Sequence, residues 1–403
     1  MIKSPVMAAT TSAGGAGYRL RSHFSPVDPL VPRRQDYLDN LKVCLTILVI
    51  CHHSAIAFGA PGNWYFVIRP RADTLGEFWM TLFVGINQAF FMSLFFAISA
   101  WFMPRSYDRK GAGVFLRDRL LRLGLPLVAF LIWLNPSLEW MSHRLDGVTD
   151  TSYQFFLWNY GSRFIGAGPL WFVESLLIFS FAYVLIRALR TAPSPPQQPR
   201  PFPGHLAIFS FVFFMAVIAF LVRLVVPAGQ SVFGLGLGEF PLYIAGYIIG
   251  VKAWRYGWFE LIDRSRARVW GGAAAVAIVL GPLAIILGAD AETGLRAMMG
   301  GLTALSFLYA LWQTVLCVGI SMTLIWLFRE KLMGTGPLPR GMARSAYTAY
   351  IIHPFFVIAF TELVAQFPSM PLVHFMLLCP LAVISTFVSA WFLRRLPLLR
   401  QIL

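Results

Sequence analysis

The chain has 403 residues, of which 58% are hydrophobic and 13% charged, and its mean hydropathy is +0.67. A soluble domain of this length needs more charge to cover its surface, and blocks of about twenty apolar residues match the bilayer core. The net charge of +15 is dispersed between those blocks and forms no long basic face, which argues against nucleic acid as a partner.

Residues 1–34, rich in Ser, Ala, Gly, Pro and Arg, lack the short apolar core and cleavage site of a signal peptide and read as a disordered cytoplasmic tail. The patterning then predicts an all-α, polytopic membrane protein of about ten helices. Its spans are expected over residues 38–59, 78–103, 119–135, 169–189, 206–226, 240–254, 269–287, 298–327, 346–367 and 372–393. Of the 33 basic residues, all but Arg69, Arg71, Arg144, Arg163, Arg223 and Arg296 fall on one set of connections. The positive-inside rule therefore puts both termini in the cytoplasm. Residues 396–403 form a short tail on that side.

The connection 191–204, with Pro193, Pro195, Pro196, Pro199 and Pro203, is expected to be an extended cytoplasmic linker. The loop 136–168 carries the run Tyr153, Phe155, Phe156, Trp158 and Tyr160, as a segment lying at the membrane interface would. Cys44 and Cys51 share one helix roughly 10 Å apart and cannot bridge. No disulfide framework or metal-ligand spacing is visible among the four cysteines.

Ionisable groups inside a span are costly and mark candidate functional sites. The first span holds the densest set: Asp39, Lys42, Thr46, His52 and His53. Eleven residues separate Lys42 from His53, about 1100° of rotation, so the two share a face to within roughly 20° and lie about 16 Å apart along the axis. His52 is about 80° away from Lys42, which makes His53 the expected interior histidine.

An imidazole in a dry, polar-lined cleft can take a proton from a hydroxyl. The same stripe also suits a packing device, with Lys42 snorkelling to the interface and His53 bonded to a neighbouring helix. A third use is a proton relay in a coupled transporter, although neither an internal repeat nor paired Gly/Pro-interrupted spans are visible.

The run YLDNLKVCLTILVICHHS, residues 37–54, resembles the first helix of the membrane-bound acyltransferase 3 family, where a basic residue and a histidine are separated by ten residues. FFMSLFFAISAWF at 90–102, FLRDRLLRLGLP at 115–126, GPLWFVESLL at 168–177, GYIIGVKAWRYGWFE at 246–260 and SAYTAYIIHPFF at 345–356 resemble further segments of that family in order. The likeness covers roughly residues 34–393 and suggests one acyltransferase domain over 35–395. Two departures are Ala100, where the family often has glycine, and Pro169, where many members have histidine.

The resemblance implies transfer of an acetyl or succinyl group from cytoplasmic acyl-CoA (acetyl-CoA or succinyl-CoA) to a hydroxyl of an extracytoplasmic glycan or other exported acceptor. It implies a bacterial inner membrane as the setting and no metal, and it carries catalytic roles onto Lys42 and His53. By depth, His53 and Glu174 lie roughly 9 Å and 8 Å below the same membrane edge, so Glu174 is expected to orient the imidazole as the third member of a triad does. Trp171 and Ser175 share its face and are expected to line the acceptor cleft. Arg119 and Arg122, at the inner entry of the third span, are expected to clamp the coenzyme A phosphates. His353, seven residues into the ninth expected span beside Pro354, is placed in the inner half as a further donor-site candidate or as a structural histidine at a kink.

Overall fold

The computed structural model describes residues 36–68, 74–147, 152–153, 166–189, 198–232, 234–288, 297–332, 334 and 336–400. The expected N-terminal tail, residues 191–197 of the linker and Phe155, Phe156, Trp158 and Tyr160 lie outside them. Ten main helices follow one another: α1 Asp36–Ala57, α2 Thr74–Trp101, α3 Met103–Leu145, α4 Gly168–Leu189, α5 His205–Arg223, α6 Phe240–Tyr256, α7 Arg264–Gly288, α8 Ala304–Lys331, α9 Pro337–Ala365 and α10 Pro371–Leu393. Each overlaps one expected span. Eight of them are long and apolar enough to cross a membrane; α6, with 17 residues, and α7 fall outside that set. The described residues contain no strand beyond a single bridge between Val232 and Leu235. The protein is an all-α polytopic membrane protein.

α1 stands in the middle of the bundle and packs against α2, α8, α9 and α10. Around it run the pairs α2–α6, α7–α8 and α9–α10. The closest approach uses small residues, as helix pairs in a bilayer commonly do. A Cβ added at Gly246 would lie 2.5 Å from the Ser93 carbonyl oxygen, and one at Gly250 would lie 2.9 Å from the Ala100 Cβ. Ser93 Oγ also donates to the Leu242 carbonyl at 2.8 Å. On the periphery, Phe209, Phe213, Phe214 and Leu221 of α5 and Met376, Leu377 and Ile384 of α10 are exposed, which is the side lipid would cover.

Proline shapes two helices that carry the site. α3 breaks at Gly111, where φ is +75°, and contains two π-helical turns, Leu120–Gly124 and Phe130–Leu134, ahead of Pro126 and Pro136. Proline lacks an N–H, so Pro126 leaves the Arg122 carbonyl without its helical donor; the Tyr347 hydroxyl donates to that carbonyl at 2.9 Å. In α9, Pro354 frees the Tyr350 carbonyl in the same way.

Three helix starts differ from expectation by six residues or more, and the first is α3, which begins at Met103 rather than at 119. α8 begins at Ala304, not at 298, because the Thr303 side chain caps it by accepting the Ser306 N–H at 3.0 Å. α9 begins at Pro337, nine residues before the expected span, with Arg340 and Arg344 in its first turns. Those polar turns carry the helix past its apolar stretch, and His353 therefore sits near mid-helix rather than close to an end.

One end of the bundle is tied by ion pairs. Asp108 receives Arg187 at 2.9 Å and Arg255 at 3.0 Å, and Arg329 donates to the Phe259 and Ile262 carbonyls at 2.6 Å each. The described part of the linker is extended along this end, with the Gln198 and Arg200 N–H groups on the Arg255 and Tyr256 carbonyls at 3.0 and 3.2 Å.

Candidate active site

His53 projects from α1 against His353 of α9, with Nδ1 of the first 2.9 Å from Nε2 of the second. The rings are nearly parallel, 9° apart, with centroids 5.1 Å from one another. The proton positions follow from the chemistry of the groups. His353 Nδ1 lies 2.6 Å from the Tyr350 carbonyl oxygen, which only accepts. In a neutral His353 the proton is therefore on Nδ1, and Nε2 must accept from His53 Nδ1–H. His53 Nε2 is left with its lone pair and, among the described residues, with no protein partner. Pro354 makes this chain possible, because an ordinary residue there would place its own N–H on the Tyr350 carbonyl.

A tryptophan covers the pair. After α1 the chain turns at Gly59, where φ is +104°, a conformation that favours glycine. It then folds back, with the Ile68 N–H on the Ala57 carbonyl at 2.9 Å. This return lays Trp64 flat on His53, with centroids 4.2 Å apart and planes 16° apart. The neighbouring Tyr65 holds the loop to α3 by donating to Asn135 Oδ1 and accepting from Ser142 Oγ. Tyr350 contributes again through its hydroxyl, which donates to the Pro169 carbonyl at the start of α4.

These groups border a cavity of about 1480 Å³, larger than the 300–1,000 Å³ common for single small-molecule pockets. His52, His53, Trp64, Trp171 and Tyr350 line it, as do Gln88, Glu239, Tyr243, Tyr309 and Trp312. Arg223 lies behind the wall and is wholly buried. It donates to Glu239 Oε2 at 2.8 Å, to the Gly238 carbonyl at 3.2 Å and to Gln313 Oε1.

The structure relates the expected residues differently from the sequence reading. His53 and His353 come together, so His353 is a partner of His53 in mid-bundle rather than an inner-half group beside the donor arginines. The Nδ1 position that Glu174 was expected to occupy is taken by His353. Glu174 is half-buried, does not border the cavity and has no hydrogen-bond partner among the described residues. Equal depth on two helices did not mean facing sides. Of its expected companions, Trp171 borders the cavity and Ser175 does not.

His52, expected off the interior, also borders the cavity and is only 5% exposed, packed on Phe91 at 5.0 Å. Because α1 is central, more than one of its faces is interior. Lys42 pairs with Asp39 at 2.7 Å, lies over the Phe102 ring at 4.9 Å and does not border the cavity. Arg119 lies over Phe115 at 5.1 Å, Arg122 is exposed, and neither has a carboxylate partner among the described residues.

Sequence reasoning passed over Trp64, Tyr350 and the Arg223–Glu239 pair. Arg223 did carry a signal, as an arginine inside an expected span on the sparsely charged side. Trp64 and Glu239 sit in connections, where a single chain offers no periodicity to place them.

Comparison with known proteins bears on what this arrangement belongs to. Residues 35–391 match the family profile described as an acyltransferase domain, acyltransferase 3. Curated relatives include the glucans biosynthesis protein C of Salmonella schwarzengrund (strain CVM19633), of Salmonella typhi and of Salmonella typhimurium. Each is 24% identical over 235 residues, covering 55% of this chain and 58% of the relative. The chain thus spans little more than half the length of those relatives. The family profile covers nearly the whole described bundle, and on it the chain belongs to the acyltransferase 3 family.

Proposed function

We propose that the protein is an O-acyltransferase that moves an acetyl or succinyl group from acyl-CoA on the cytoplasmic side to a hydroxyl of an extracytoplasmic glycan, with His53 as general base. The observation that carries this reading is the tautomer chain from the Tyr350 carbonyl through His353 to His53, which leaves the Nε2 lone pair of His53 as the unbonded end of a fixed imidazole at a large cavity. The name of the relatives, with its reference to glucans, supports a glycan as acceptor.

In the transfer step His53 Nε2 takes the proton of the acceptor hydroxyl as its oxygen attacks the thioester carbonyl carbon. The tetrahedral adduct collapses with cleavage of the C–S bond, and His53 returns the proton to the departing coenzyme A sulfur. Among the described residues no carboxylate is hydrogen-bonded to His53 or His353 to take up the passing imidazolium charge. That charge is shared with His353 through the Nδ1–Nε2 hydrogen bond and faces the Trp64 ring at 4.2 Å, where a cation–π contact stabilises it.

Arg119 and Arg122 would hold the donor phosphates at the cytoplasmic mouth, since neither has a carboxylate partner among the described residues. Lys42, at the start of α1, would add positive charge on the same side. Its pairing with Asp39 makes it the weaker contributor.

The test is transfer from labelled acetyl-CoA and succinyl-CoA to a gluco-oligosaccharide by the purified full-length protein in a bilayer. His53→Ala is expected to lower the rate by about 10²–10⁴-fold, the usual worth of a general base. A variant as active as the parent would overturn the assignment of the base, and consumption of neither donor by the parent would overturn the reaction.

A further inference from the structure

Part of the cavity wall has features that the transfer step does not use. Arg223, fully buried, is held by Glu239, the Gly238 carbonyl and Gln313, and its guanidinium lies 5.3 Å from the Tyr309 ring centre. A charge inside a membrane bundle is costly, and an ion pair kept there by packing alone gains little over apolar residues. This pair has loose ends that point to a ligand. Glu239 is 8% exposed, borders the cavity and uses only Oε2 towards Arg223, so Oε1 has no protein partner among the described residues. Arg223 Nη1 is buried without a partner as well.

The direction of every bond in this group can be read. A guanidinium only donates, so Gln313 must accept from Arg223 through Oε1 and donate through Nε2. That Nε2 lies 3.0 Å from the Tyr309 hydroxyl, which accepts and keeps its own proton free to give. Two groups that touch the same guanidinium therefore offer the cavity one donor, the Tyr309 O–H, and one acceptor, Glu239 Oε1.

Beside them is a flat surface. The Trp312 ring is parallel to Tyr309 within 16° at 5.9 Å, and its indole N–H is used by the Ala277 carbonyl at 2.8 Å. Trp312 is therefore oriented from behind and presents an apolar face, with no polar group left to satisfy.

We propose that the stretch of cavity wall formed by Glu239, Tyr309 and Trp312 is the docking subsite of the acceptor and that it takes an uncharged polyhydroxyl ring. The C–H face of the ring lies on Trp312 and Tyr309, and its hydroxyls accept from Tyr309 and donate to Glu239. The assignment of the ring as acceptor rests on the acyl-transfer reading above. Selection against acidic rings follows from charge: the described cavity lining includes Glu77, Glu139 and Glu239 and no lysine or arginine. Arg223 is already balanced by Glu239, so a carboxylated ring would lose its water with no cation to replace it.

The experiment measures binding first. The full-length protein in lipid nanodiscs is titrated with a neutral gluco-oligosaccharide and with a uronic-acid oligosaccharide of equal length. The neutral sugar is expected to bind at least tenfold more tightly. Tyr309→Phe, nearly isosteric, and Trp312→Leu are each expected to weaken neutral-sugar binding by roughly tenfold, the loss expected for one hydrogen bond or one stacking face. In transfer assays the same variants raise the acceptor KM by that factor while the acyl-CoA KM stays at the parent value.

Equal affinity for the two sugars, no binding of the neutral one, or parent-like binding by both variants would overturn the subsite. A parent protein that binds the neutral sugar as stated but transfers no acyl group overturns the acyl-transfer reading and leaves the subsite standing. Transfer by the parent with unchanged sugar binding in both variants overturns the subsite alone.

Discussion

A histidine base ordinarily needs something behind it to fix its tautomer and carry its charge, and a carboxylate commonly does both. In the proposed transfer the two tasks fall to different groups. His353, locked by the Tyr350 carbonyl, fixes His53 with Nε2 unprotonated, and Trp64 faces the ring that would become cationic. The two kinds of variant should differ in kind. His353→Ala removes the acceptor of His53 Nδ1–H and frees the imidazole to turn; the expected loss in kcat is about 10²-fold or more, with the acyl-CoA KM retained. Trp64→Leu removes only the cation–π term of roughly 0.5–2 kcal/mol, so kcat should fall by between about twofold and thirtyfold. Steady-state kinetics on the two purified variants separates them, and a Trp64→Leu loss equal to that of His353→Ala would show that the indole positions the pair rather than stabilising its charge.

At the scale of elements, proline is what connects sequence to chemistry. Pro354 follows His353 directly, and its missing N–H leaves the Tyr350 carbonyl for the imidazole to use. Pro354→Ala should restore a helical bond to that carbonyl and compete with His353. The expected outcome is an α9 at least as stable by thermal melting, together with transfer reduced by roughly tenfold, because His53 loses its oriented partner. Gly250→Val acts on packing instead. Even a bare Cβ there would come within 2.9 Å of the Ala100 Cβ, so the α2–α6 contact must open, at a cost of about 1–3 kcal/mol, and the melting temperature should fall.

The same scale shows what one sequence could reveal. Ten apolar blocks with alternating charge were enough to locate ten helices, because bilayer thickness sets span length. That His53 faces the interior was legible from its place on α1, although Lys42, from which its face was reckoned, does not border the cavity. His353 was visible as a residue but not as its partner, since a contact across 300 positions leaves no local periodicity. The start of α9 was misplaced because apolarity marks the membrane and not the helix, and Arg340 and Arg344 extend the helix beyond the apolar block. His52 was set aside by a rotation argument that presumed one interior face, whereas central α1 has several.

For the whole molecule, the distribution of charge sets an expectation for sidedness. The end bearing the start of α1 carries most of the basic residues, and many of them are already bound: Arg187 and Arg255 to Asp108, and Arg329 to backbone carbonyls. Arg119 and Arg122 are not paired with a carboxylate among the described residues, while the cavity at the histidines is lined by carboxylates and by no described lysine or arginine. An acyl-CoA, with its phosphates, should therefore be held at the basic end and pass only its uncharged pantetheine arm and thioester toward His53. Two outcomes follow. Arg119→Gln, at the half-buried position, should raise the acyl-CoA KM by about tenfold, and Arg122→Gln, exposed, by less, with the acceptor KM unchanged in both. In sealed proteoliposomes of uniform orientation, transfer should require acyl-CoA on the side of the termini and the glycan on the other, because neither polar substrate crosses the bilayer unaided. Equal rates with both substrates on one side would mean that the cavity has a single mouth, and the donor phosphates would then have to be bound against three glutamates rather than by the arginines.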